Sequence, residues 1–243
     1  MPGNIRSGGC RLGFPMNLEP LPAAPLQERG PGATSGAVTT LSLQLVATTE
    51  EMANAFRSRF SGLPRTTILH LRWEQLPPHD CFVTAGNSFG LMSAGIDAAV
   101  VGAFGPAIQE AVQLHIMNNF LGEQPVGSAF ILPTGHARVP FLCHAPTMRV
   151  PGDISQTDNV YRATRAALLS IYHHNRASEG PIASVAMPAF GAGFGGVRPD
   201  EVARQMAVAW RLFLELPYPP SWDRVLQRER LICWDADQRR VKS

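Results

Sequence analysis

Thr84-Ala-Gly-Asn-Ser-Phe-Gly-Leu-Met-Ser-Ala-Gly-Ile-Asp97 is the stretch that decides the fold. It leaves an apolar run at 81–85 that reads as an interior strand, stays rich in Gly and Ser, and gives way at Ile96 to a helical period. A second stretch, Pro188-Ala-Phe-Gly-Ala-Gly-Phe-Gly-Gly-Val197, repeats this order between a β-branched run at 182–187 and a helix opened by Pro199. Successive glycines let backbone N–H groups converge on an anion with no Cβ in the way, and the N-terminus of the following helix adds a favourable dipole. Two such turns suit a diphosphate. The structural alternative is a pair of tight turns that need left-handed backbone, and two of them at two strand ends weigh against it.

Outward from these turns, short β-type runs alternate with helical ones. Strands are expected at 41–46, 66–71, 81–85, 129–132, 141–145, 182–187 and 231–234. Thr49 caps a helix with Met52, Ala55, Phe56 and Phe60 on one face, and the run from Ile96 breaks at Gly105-Pro106 and restarts along Ile108, Val112 and Ile116. Asp158 caps a helix carrying Tyr161, Thr164, Leu168, Ile171 and Tyr172, and Val202, Met206, Trp210, Phe213 and Leu214 stripe the helix that Pro217 stops. The pattern predicts one domain over 41–236, an α/β fold of three layers with helices on both faces of a mixed central sheet. In such sheets ligands bind at the carboxyl ends of the strands, where both glycine-rich turns emerge. Residues 1–40, rich in Gly and Pro, read as a disordered leader with organellar targeting left open, and 237–243 as a polar tail.

Composition narrows the function classes. A chain of 243 residues with 45% hydrophobic and 16% charged content is an ordinary globular sequence. Its net charge of +2 gives no broad field for a nucleic-acid backbone or an anionic membrane, so neither is expected as a direct partner. Any bound anion must be held locally. The apolar stretches are too interrupted to span a bilayer. Cys10, Cys81, Cys143 and Cys233 form no C-x-x-C pair and no secretory segment is visible, which predicts a reducing, cytoplasmic setting. The histidines at 70, 79, 115, 136, 144, 173 and 174 make no ligand set, so neither metal nor cofactor is expected.

Two conventional motifs lie within the turns. Gly191, Gly193 and Gly196 satisfy G-x-G-x-x-G, but too little chain follows to complete a dinucleotide-binding unit. Gly86-Asn-Ser-Phe-Gly90 satisfies G-x-S-x-G, with Asp153 or Asp158 and then His173 or His174 in the order of an α/β-hydrolase, so a serine esterase acting through Ser88 is an alternative. Against it, an elbow needs its helix at once after the serine, whereas this chain stays Gly/Ser-rich to Gly95.

Taken together, the two turns resemble those of the macrodomain family, a divergent branch of it. The family binds ADP-ribose, and many members hydrolyse ADP-ribose linked to proteins or small molecules. The resemblance spans about 41–236. Its members end a strand with N-A-A-N and place an Asp, closing a G-G-G-V-D loop, ten positions after the second Asn. Asn87 and Asp97 keep that spacing, with Ser93-Ala-Gly-Ile-Asp97 as the loop, and Gly105-Pro106 falls where many members have Gly-Pro. His144-Ala-Pro-Thr-Met-Arg149, Asn87-Ser-Phe-Gly and Met92 resemble the divergent branch.

The chain also departs from the pattern. Thr84 replaces the first Asn, Ala94 interrupts the glycine run, Gly195 stands where many hydrolytic members carry an aromatic, with Phe194 beside it, and Arg72, Trp73 and Glu74 occupy the region of the acidic adenine reader. The lysine of one hydrolytic branch is absent, Lys242 being the sole lysine. The resemblance implies ADP-ribose or an ADP-ribosylated substrate as partner. It implies Asn87 and Asp97 as catalytic residues, Asn87 placing the distal ribose and Asp97 orienting or deprotonating water. Ser88, Ser93, Ala94, Gly95, Ile96, Gly191, Ala192, Gly193, Phe194, Gly195 and Gly196 would line the ligand. The expected activity is hydrolysis of ADP-ribose ester or phosphate linkages, with a reader lacking turnover as the alternative. Linkage, target protein and oligomeric state are not legible.

Overall fold

Alternating apolar residues put two faces on each central strand, and the structure covers both. The computed structural model describes residues 40–177, 180–215 and 219–234, all within the unit Thr34–Ser243. Apart from Thr40, the expected leader and the expected tail lie outside the described residues. The strands are β1 (Ser42–Ala47), β2 (Thr66–His70), β3 (Cys81–Thr84), β4 (Phe130–His136), β5 (Val139–His144) and β6 (Ser184–Pro188). They form one sheet in the order β2-β1-β6-β3-β5-β4, parallel except for the antiparallel edge pair β4–β5.

The helices are α1 (Glu50–Arg59), α2 (Gly95–Phe104), α3 (Ala107–Phe120), α4 (Asn159–Ala177), α5 (Pro199–Leu214) and α6 (Trp222–Ile232). Leu43, Leu45, Cys81, Val83, Val185 and Met187 point to the face covered by α1, α4 and α5. Their neighbours Val46, Phe82, Leu142 and Ala186 point to the face covered by α2 and α3. That alternation gives the three-layer α/β/α architecture with a mixed sheet. Thr49 caps α1 by accepting from the Met52 N–H at 3.2 Å. Gly105, at φ +84, separates α2 from α3.

Helix α5 lies under the sheet with most of its length buried. Trp210 is fully buried and donates from Nε1 to the Pro64 carbonyl at 3.1 Å, so its ring adds apolar burial with its polar atom satisfied. Glu201 and Arg204 are buried on the same helix in a two-pronged ion pair, both contacts at 2.7 Å.

One expected strand is corrected. Leu231 and Ile232 finish α6 and do not form a strand over 231–234. A four-residue apolar run carries no period that separates strand from helix, while Ser221, which accepts from the Arg224 N–H at 3.5 Å, was a helix-start signal upstream. Arg204 fixes the end of that helix by donating to the carbonyls of Leu231 at 2.7 Å and Cys233 at 3.0 Å. Among the described residues, no helix is long and apolar enough to cross a membrane.

Candidate functional site

The carboxyl ends of β1, β3, β5 and β6 open onto one cavity of about 680 Å³, well within the size range of small-molecule sites. Both turns border it. From the first come Asn87, Ser93, Ala94, Gly95, Ile96 and Asp97, and from the second Gly191, Ala192, Gly193, Phe194 and Gly195. The turns, far apart in sequence, meet because β6 lies beside β3 in the sheet.

Each turn presents main-chain donors. Helix α2 starts at Gly95, φ +58, and its earliest intrahelical bond runs from the Ala98 N–H to the Ala94 carbonyl at 3.3 Å. The N–H groups of Gly95, Ile96 and Asp97 therefore precede the helical ladder. The second turn is closed by the Val197 N–H on the Gly191 carbonyl at 3.1 Å and by the Gly196 N–H on the Gly193 carbonyl at 3.1 Å. Gly195 is required by close approach, since a Cβ there would sit 2.6 Å from the Gly191 carbonyl oxygen and 2.8 Å from Ile154. Gly193 lines the cavity, and a Cβ there would meet nothing within 4 Å.

Asp97 is the third residue of α2 and is 7% exposed. Thr84 Oγ1 donates to its Oδ1, a direct link from the end of β3. Burial pushes the carboxyl up from 3.8 to about 7, because its environment supplies too little compensation for the charged form. A carboxyl so placed exchanges a proton near neutrality.

Asn87 borders the cavity, but much of its side chain braces its own loop. Its Oδ1 accepts from the N–H groups of Phe89 at 3.1 Å and Leu91 at 3.3 Å, and its Nδ2 donates to the Leu91 carbonyl at 2.8 Å. The accepting half of the amide is thus engaged, leaving one N–H for a ligand.

Two expected contact residues fall outside the cavity. Ser88 is 1% exposed and turns away, its Oγ donating to the Met148 carbonyl at 3.4 Å. Asn87 bridges to Met148, and the chain then turns at Ser88 and Phe89, closed by the Gly90 N–H on the Asn87 carbonyl at 3.2 Å, with the Ser88 N–H held by the Met148 carbonyl at 3.1 Å. Gly196 lies behind the turn, its N–H already used in closing it. The histidines expected for an esterase are elsewhere: His174 Nε2 meets the Gly180 carbonyl at 3.2 Å and His173 packs on Tyr172.

Thr48 after β1 and Pro151 after β5 are wall residues that the sequence motifs do not contain, whereas Thr147 and Pro188 lie within the quoted motifs but outside the expected ligand lining. Their position at strand ends was the available signal. Arg72, Trp73 and Glu74 line the end beside β2.

Residues 83–206 match the family described as Macro domain. A protein of Aeropyrum pernix is 38% identical over 130 residues, which are 54% of this chain and 62% of that one, so the match spans about three fifths of that relative. A macro domain-containing protein of Cupriavidus necator is 33% identical over 133 residues, 54% of this chain and 70% of that one. Among solved structures, an Oceanobacillus iheyensis macrodomain variant with ADPR superposes with a TM-score of 0.50 at 19% identity, covering 74% of this chain and 82% of that one. The sheet order, the cavity between the two turns and the sequence match together make this chain a member of the macrodomain family.

Proposed function

We propose that this protein binds ADP-ribose in the cavity at the strand ends and hydrolyses ADP-ribose ester or phosphate linkages there. One observation carries the reading: the free face of the second turn at Gly193 and the start of α2 border the same space, so main-chain donors converge on a diphosphate from two sides. The ADPR named for the Oceanobacillus iheyensis structure supports the ligand.

In turnover, ionised Asp97 takes a proton from water while the water oxygen bonds to the anomeric carbon of the distal ribose. The linkage C–O bond breaks, and the leaving carboxylate or phosphate departs with its electron pair. Asn87 donates its remaining amide N–H to a ribose hydroxyl and holds the anomeric carbon in place. A carboxyl titrating at about 7 suits this role at neutral pH.

Calorimetry with ADP-ribose, ADP and AMP tests binding. Release assays on an ADP-ribosylated protein and on ADP-ribose 1″-phosphate test turnover. Binding with release that Asp97→Ala abolishes supports a hydrolase. Binding with no release from either substrate makes the protein a reader, and no binding overturns the assignment.

A further inference from the structure

His144 ends β5 directly beside Thr84, its register partner on β3. It is fully buried, and its ring lies against Phe130 at a centroid separation of 5.4 Å. Its Nδ1 meets Gln124 Oε1 at 2.6 Å. The amide nitrogen of Gln124 donates to the carbonyls of Ser128 at 3.2 Å and His144 at 3.4 Å, which fixes Oε1 as an acceptor. Nδ1 therefore carries the ring proton, and Nε2 presents a lone pair. Among the described residues, Nε2 has no hydrogen-bond partner.

Nε2 lies beside the site. A Cβ on Gly86 would sit 2.7 Å from His144 Nε2 and 3.0 Å from Asp97 Oδ2, so both atoms border one small space that the glycine keeps clear of side chain. Gly86 itself lines the cavity. From this geometry we infer that His144 is a positioning residue for Asp97: its Nε2 lone pair, with the tautomer set by Gln124, faces the Asp97 carboxyl across Gly86 and favours the protonated acid over the carboxylate. A lone pair repels the charged carboxylate and attracts the proton of the neutral form. Burial holds the imidazole down at about 3, so it stays neutral while Asp97 titrates. Thr84 from β3 bonds the other carboxylate oxygen, His115 from α3 acts on His144 by charge, and Arg72 and Glu74 line the cavity beyond.

The inference deepens the proposed use of Asp97 and rests on it for its catalytic meaning, but its test does not require a ligand. In the full chain, ring ¹⁵N shifts report the His144 tautomer and the Asp97 ¹³Cγ signal reports its titration. Wild type is expected to show Nδ1–H throughout pH 5–8. His144→Leu should lower the Asp97 midpoint by about one pH unit. Gln124→Leu should release the Nε2–H tautomer, which donates to the carboxylate, and lower the midpoint similarly. The pH profile of ADP-ribose release should move by the same amount as the midpoint.

An Nε2–H tautomer in wild type, or a midpoint unmoved in either folded variant, overturns the inference. If His144→Leu does not fold, the wild-type tautomer and Gln124→Leu decide. Failure of ADP-ribose to bind wild type, with the titration still coupled, would overturn the proposed function and leave the coupling standing.

Discussion

Asp97 and Glu201 occupy the same place in their helices, the third residue of the first turn, and both are buried, at 7% and 4% exposure. Their surroundings are opposite. Glu201 receives two bonds from Arg204 and one from Gln205 Nε2 at 2.8 Å, whereas Asp97 receives the Thr84 hydroxyl and faces a histidine lone pair. The first is a charge buried with its compensation and serves the packing of α5 against α6. The second is a carboxyl buried with one hydroxyl donor and no cation at the wall of a cavity, where a displaced protonation equilibrium is a resource for chemistry. Burial of an acid therefore says little about its role until its partners are counted.

The largest expected effect breaks the satisfied member. Arg204→Met should destabilise the fold by about 3–5 kcal/mol in urea unfolding, because Glu201 would remain buried without its cation. Replacing both residues by methionine should recover much of that loss. A single-variant cost below about 1 kcal/mol would show that the pair is not compensating a buried charge.

Asp97→Asn should act in the other direction. The native state keeps the Asp97 proton between pH 3.8 and about 7 while the unfolded chain has lost it, so the residue lowers stability progressively as pH rises through that window. The amide should therefore be more stable than wild type by roughly 2–4 kcal/mol at pH 8, with the gain vanishing near pH 4. His144 works oppositely: its value falls from 6.5 to about 3 on folding, so its burial costs stability as pH drops below 6.5. The two trends offset each other in wild type, and Asp97→Asn should expose the acid lability of His144. Thermal unfolding from pH 4 to pH 8 checks both signs, and a pH-independent difference would contradict them.

Gly193→Val sharpens the comparison from the ligand side. The position has open space around its Cβ, so stability should change by less than about 0.5 kcal/mol while ADP-ribose affinity falls at least about tenfold. Calorimetry and unfolding on the same preparation separate the two. Ser88→Ala should have the smallest effect, losing about 0.5–1 kcal/mol of stability with its bond to Met148 and leaving ADP-ribose affinity unchanged. A loss of hydrolytic activity in that variant would revive the esterase reading.

Much of the fold was legible along the chain, because strand and helix periods are local. Thr49, Gly105-Pro106 and Pro199 marked helix boundaries through backbone chemistry that tertiary contacts did not override. The run at 231–234 was misread because four apolar residues fit either period, and the docking of α6 through Arg204 is a long-range event. Of the site, the two glycine turns and the Asn87–Asp97 spacing were visible. The inward or outward direction of Ser88, and the use of Asn87 as a loop brace, were not.

Sequence alone thus determined the layered α/β class and the two amide-rich turns, since both follow from near-neighbour spacing and the conformational freedom of glycine, while the candidate acid Asp97 came from the family resemblance. Tertiary structure decided that the turns face one cavity, that Asp97 is desolvated while Glu201 is paired, and that His144 stands across Gly86 from Asp97. Those facts depend on which strand lies beside which and on how much water remains around a charge, and neither is encoded in any short stretch of chain.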